Sequence, residues 1–139
     1  RFFRQVRLTV ESTSEDRILA AVSHLGIFLN LLGIVLALII YLLKQEHSKF
    51  IAHHAKQAVG FQLIVVIVGA IAGFSGFGVA LGSLFFGPGP GAVGIIGVAV
   101  FFWLTIVLVA ICAIVGAVRA LMGKDFQYPL VGELIDRVV

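Results

Sequence analysis

Between Gln57 and Val118 lie 62 consecutive residues without one Asp, Glu, Lys or Arg. A soluble chain of 139 residues exposes most of its length at least in part, and this run offers no charge to cover such a surface. Composition points the same way: 60% of the residues are hydrophobic and 12% charged, against about 45–50% and about 25% in soluble domains. Soluble, disordered, collagen-like and disulfide-framework classes are excluded, and an integral membrane protein is expected. The formal net charge of +3 would suggest nucleic acid in a soluble protein. Here the basic residues flank apolar runs, the pattern that orients a chain in a bilayer, so no nucleic-acid partner is expected. Cys112 is the single cysteine and can form no internal disulfide.

Residues 1–15 read as a basic leader in which Val6, Leu8 and Val10 alternate with polar residues, a short strand-like pattern. Arg1 to Arg17 holds no apolar core of signal-peptide length, so no signal peptide is expected there. Ser14, Glu15 and Asp16 supply helix-start chemistry without the Glu of a capping box, which places the first helix start near Ser14. The apolar run Ile18 to Leu43 is long enough for one tilted crossing. Asn30 and Gly33 also permit a break into a hairpin of helices over 16–30 and 33–44. Charge placement favours the hairpin. The leader (Arg1, Arg4, Arg7, Arg17), the 44–49 connector with Lys56, and the tail (Arg119, Lys124, Arg137) are all basic, while the stretch around Gly87-Pro88-Gly89-Pro90-Gly91 is neutral. A hairpin puts every basic segment on the cytoplasmic side. The next helix is expected over about 48–73, followed by a Gly- and Phe-rich stretch over 74–92 and a last span from Ala92 to about Met122, with Gly123 as its stop.

The architecture expected is thus an all-α polytopic membrane bundle over 16–123 with four membrane segments, the first two a short hairpin. A cytoplasmic tail follows over 124–139, and both termini are cytoplasmic. The localisation expected is a membrane, crossed more than once.

Few residues offer chemistry. His47, His53 and His54, with Glu46, form a histidine cluster, but His47 and His54 would lie about 10.5 Å apart along a helix, too far for one tetrahedral zinc. No metal or cofactor site is expected. Lys44, Lys49, His53, His54 and Lys56 instead read as contacts to anionic lipid headgroups or a partner, an idea that extends to Arg1, Arg4 and Arg7. His24, Asn30, Gln57 and Gln62 form a polar intramembrane seam, either lining a path or joining helices by hydrogen bonds; the absence of an acidic residue from the spans favours joining. Small residues recur at helical spacing in Gly69 with Gly73, Gly78 with Gly82, Ala113 with Ala117, and Gly116 with Ala120, a pattern that lets helices approach closely. Gly76 to Gly82 misses the dinucleotide fingerprint. Phe85, Phe86, Phe101, Phe102 and Trp103 suit lipid-facing and interfacial positions. No Ser-His-acid or Cys-His arrangement is implied, so no enzymatic activity is expected.

Three blocks carry a resemblance: His24-Leu25 with Tyr41-Leu42-Leu43-Lys44; Phe50 with His54-Ala55-Lys56-Gln57-Ala58 and Phe61-Gln62; and Arg119 to Gly123 with Tyr128-Pro129-Leu130. Over roughly 18–135 the chain resembles the Tic-twenty-like family of small bacterial membrane proteins. The resemblance implies four membrane helices with both termini cytoplasmic and a multi-pass localisation in the bacterial inner membrane, and gives architecture more than activity. The chain departs from that family at His53, where many relatives carry an acidic residue, and in its Gly-Pro-Gly-Pro-Gly stretch. Two functions are expected from these readings: a non-catalytic accessory or scaffold subunit joined to other membrane subunits or to itself, or a transport or translocon component.

Overall fold

A computed structural model describes residues 12–138. The strand-like pattern of the leader, and Arg1, Arg4 and Arg7, lie outside the described residues. Those described form helices and connecting turns, with no strand among them. The helices are α1 (Ser14–Leu25), α2 (Leu31–Lys44), α3 (Lys49–Phe86), α4 (Pro88–Leu121) and the short α5 (Gly132–Val138), with a 3-10 turn at Gly26–Leu29.

Helix α1 starts where a capping box forms. The Thr13 hydroxyl accepts from the Asp16 N–H (3.2 Å), and the Asp16 carboxylate accepts from the Thr13 N–H (3.1 Å). Counted from Ser14 the third residue is Arg17, which cannot close a box; counted from Thr13 it is Asp16, whose carboxylate, one methylene shorter than that of Glu, closes the same ring. The long apolar run then breaks at Asn30, whose φ of 57° lies in the left-handed region. The helices on either side have 12 and 14 residues, about 18 and 21 Å, short of the roughly 30 Å hydrocarbon core. They meet at two glycines: a Cβ on Gly33 would fall 1.7 Å from the Gly26 carbonyl oxygen. Only glycine permits that approach.

Helix α3 corrects the expected boundaries. It runs 38 residues without interruption, through the Gly- and Phe-rich stretch expected to be a separate segment. Glycine weakens a helix in water, where an open backbone can bond to solvent. Apolar surroundings remove that alternative, and every N–H and C=O must then bond within the segment. The helix ends only at Gly87, at φ 88°, after which Pro88 opens α4. Proline suits a first helical turn because its missing N–H would find no partner there. At the far end, Gly123 (φ 66°) turns the chain, and the Gly123 and Lys124 N–H groups bond to the Ala120 and Arg119 carbonyls. Both α3 and α4 are long and apolar enough to cross a membrane, while α2 is shorter.

The chain divides into two compact units, which share α3 and α4. The first comprises residues 12–63 with 111–138. Its core is built mainly from small residues. Ala20, Ala21, Phe50, Ala117 and Ala120 form one buried cluster; Ile40, Ile51 and Ala55, packed by Leu19, Val22, Leu36 and Tyr41, form another. Alanine contacts bring backbones close, the mode of packing that operates where lipid supplies no hydrophobic drive between helices.

The second unit, residues 64–110, is the hairpin of the α3 C-terminal and α4 N-terminal halves. Its glycines are used selectively. A Cβ on Gly91 would meet Ser83 at 2.1 Å, one on Gly94 would meet Val79 at 2.4 Å, and one on Gly76 would meet Val98 at 2.9 Å. At Gly69, Gly73, Gly78 and Gly82 a Cβ would meet nothing within 4 Å. Phe85, Phe86, Phe101 and Trp103 are exposed, as are Ile71, Phe74 and Leu104. Such a surface is stable against acyl chains and not against water.

Candidate functional site

The polar residues of the first unit converge on one buried network. His24 on α1 is fully enclosed, with Nδ1 2.8 Å from the Tyr128 hydroxyl and Nε2 2.9 Å from His54 Nδ1 on α3. Phe50, Phe126 and Tyr128 pack their rings around the two imidazoles, and Tyr128 stacks flat on Phe61 with centroids 3.8 Å apart. The close approach depends on Gly116, where a Cβ would lie 3.0 Å from the His24 ring and from Phe126. His54 Nε2 lies towards the Lys124 backbone without an aligned hydrogen bond.

One turn along α3, Gln57 is also fully buried. Its amide N–H donates to the Gly132 carbonyl (2.9 Å) and to Asp136 Oδ1 (3.0 Å), and its Oε1 accepts from the Tyr128 N–H (3.4 Å). Gln62 donates to the Ser23 carbonyl at 3.2 Å, tying α3 to α1, and its Oε1 has no hydrogen-bond partner. Lys56 bonds the Asp136 carbonyl at 3.3 Å. His53 donates from Nε2 to the Phe126 carbonyl (3.1 Å), with Asp125 Oδ1 2.6 Å away as an ion-pair contact off the N–H direction. Burial pulls the Asp125 carboxyl upward, but the close contact with the charged His53 ring outweighs it and holds the group below the ordinary carboxylate value. Burial pushes the Tyr128 phenol well above its ordinary value, so it stays protonated.

Residues 125–138 therefore act as a strap laid across α1, α3 and α4, held at Asp125, Phe126, Tyr128, Gly132 and Asp136. Of the four seam residues, His24 and Gln57 meet at Tyr128, and Gln62 joins α3 to α1 alongside. Asn30 stands apart, exposed at the helix break with no side-chain cap bond. Of the residues read as headgroup contacts, Lys49 is exposed and Lys44 reaches Glu15 at 3.4 Å. Lys56 is engaged by Asp136. His53 is largely covered and His54 wholly so, turned inward by the strap. Ala113, Gly116, Ala117 and Ala120 line the face of α4 that packs in this unit.

Sequence reasoning passed over Tyr128, Asp125, Asp136 and Ser23 as partners. The available signal was two aromatics, Phe126 and Tyr128, in an otherwise polar tail. Among the described residues no group of three or more His, Cys, Asp or Glu is arranged to hold a metal ion.

The model of the MamF/MmsF family, the magnetosome magnetite crystal formation proteins, matches residues 15–135, covering both units and most of the strap. The chain belongs to the MamF/MmsF family. This overturns the resemblance to the Tic-twenty-like family. The blocks that carried it, His54 to Ala58 and Tyr128 to Leu130, are those that dock the strap onto α3; short blocks set by packing specify an architecture more than a lineage. The family is one of magnetosome membrane proteins, and with its two long apolar helices this member is a membrane protein. Nothing among curated proteins or solved structures matches the chain.

Proposed function

We propose that this member of the MamF/MmsF family is a non-catalytic, multi-pass protein of the magnetosome membrane, serving magnetite crystal formation as an accessory or scaffold subunit of a larger membrane complex. The observation that carries this reading is how the buried polar groups are spent. His24, Gln57 and Ser23 bond to other segments of the same chain and hold it in shape. What faces outward over residues 64–110 is an apolar hairpin with open glycines at 69, 73, 78 and 82, suited to lipid and to neighbouring helices. Because the polar seam is consumed internally and Asn30 is outside it, no observation favours the transport reading.

We further propose that the 44–49 connector and the strap share the cytoplasmic side. Supporting this are the two short helices of the α1–α2 pair, the single reversal at Gly87, and the docking of the strap on the first turns of α3. Reporter fusions after Lys124 and within the connector should report the same side of the membrane. Purification from native magnetosome membranes in mild detergent should recover the protein with partner subunits. A stable lone monomer under those conditions would refute the scaffold role.

A further inference from the structure

We infer that the C-terminal strap is a proton-sensitive latch, docked while the His24–His54 pair is neutral and released when that pair takes up a proton. The inference is independent of the role proposed above and rests on how hydrogen atoms fit the network. Between His24 Nε2 and His54 Nδ1, 2.9 Å apart, there is room for one hydrogen. The same holds between His24 Nδ1 and the Tyr128 oxygen. One order satisfies both gaps: Tyr128 O–H donates to His24 Nδ1, and His24 Nε2–H donates to His54 Nδ1. The reverse order uses His24 Nδ1 as a donor and so takes away the one acceptor that the Tyr128 hydroxyl has among the hydrogen bonds of the described residues.

A proton added to His54 Nδ1 opposes the His24 N–H. Relief requires His24 to reverse, donating from Nδ1 to Tyr128, which strands the hydroxyl hydrogen. A proton added to His24 Nδ1 strands it directly. Either way the charge sits among Phe50, Phe126 and Gly116, and the bond lost is the one that ties the strap to α1.

The surrounding groups relieve it only in part: the Asp125 carboxylate attracts a proton on His54, but it is already paired with His53. On α3, His53 is matched by Asp125 and more distantly by Asp136 (3.9 Å), so its own proton strengthens the strap and acts with the opposite sign. From α4, the Arg119 cation acts on His54 and the Cys112 thiol lies near Tyr128. Arg17 of α1 packs by Gly123, and Tyr41 of α2 packs on the separate Ile40–Ile51–Ala55 cluster.

The test is hydrogen exchange of the full chain in phospholipid nanodiscs from pH 8 to 5, with rates normalised to intrinsic exchange. Below about pH 6.5, the value of a free imidazole, protection of amides 125–135 should fall about tenfold per pH unit for each proton taken up on release. Amides of residues 64–86 should keep theirs. His54→Asn leaves His24 as the one titrating ring of the pair and still presents an oxygen to His24 Nε2–H, so protection of its strap should fall with a clearly shallower slope than in the wild type. Wild-type-like pH dependence in that variant, or flat protection in the wild type, would overturn the latch. Should His54→Asn not fold, ring nitrogen shifts of His24 and His54 in the wild type decide: midpoints coincident with strap release support it, and separate midpoints or rings that stay neutral overturn it.

Discussion

Gln57 shows how much one side chain can carry when it is buried among backbone groups. Its amide closes bonds to Gly132, Asp136 and Tyr128 at once. Gln57→Leu removes the donor and leaves those groups facing an apolar side chain. Each buried unpaired group costs about 1–3 kcal/mol, so the variant should lose about 2 kcal/mol or more and melt several degrees lower in detergent, read by circular dichroism. Glycines separate into two kinds at the same scale. Gly116→Ala places a methyl 3.0 Å from two rings with little room to give, and should destabilise by roughly 1–3 kcal/mol. Gly69→Ala meets nothing, and gains helix propensity of up to about 1 kcal/mol. A thermal shift of the same sign in the two variants would contradict this division. The sequence pattern of small residues could not make it, because spacing reports which residues share a helix face and not what faces them.

At the scale of elements, the strap depends on its first anchor. The Asp125 carboxyl is held low by His53, so its contribution to docking is complete above the ordinary carboxylate value near 3.9 and disappears as pH falls through the lower folded value. Asp125→Asn should therefore loosen the strap at pH 7, above the range in which the latch releases and where the His53 partner has more of its proton than at pH 8, and cleavage by trypsin at Lys124 should become faster than in the wild type. The helix start at Thr13 is a second element-level case: Thr13→Ala should cost about 1 kcal/mol through the lost cap. The break at Asn30, the reversal at Gly87 and the stop at Gly123 were legible beforehand, because left-handed turns need residues that tolerate positive φ. The continuity of α3 through Gly73 to Gly82 was not. A glycine-rich stretch reads as loop when water can solvate its backbone, and the medium that removes this option is absent from a local pattern.

For the whole molecule, the decisive quantity is the charge-free hairpin of residues 64–110. A lysine at its exposed face, as in Leu104→Lys, should raise the apparent insertion free energy by about 2.5–3.5 kcal/mol at a helix centre. A glycosylation-mapping assay of the hairpin should then show a lower inserted fraction; unchanged insertion would argue against a spanning hairpin. The expected set of four membrane segments can be tested the same way, segment by segment. Family membership was not readable from the three blocks that suggested another lineage. It emerged from the match across residues 15–135 as a whole.

The sequence by itself determined that this chain is helical, apolar and turned at Asn30, Gly87 and Gly123, since hydropathy and backbone freedom are properties of single residues and their near neighbours. Only the tertiary structure decided that residues 125–138 fold back, that His24 and His54 face each other rather than lipid, and that Gln57 serves the tail. Those pairings join positions 30 to 104 residues apart, and no local periodicity encodes which distant carbonyl or hydroxyl will satisfy a buried donor.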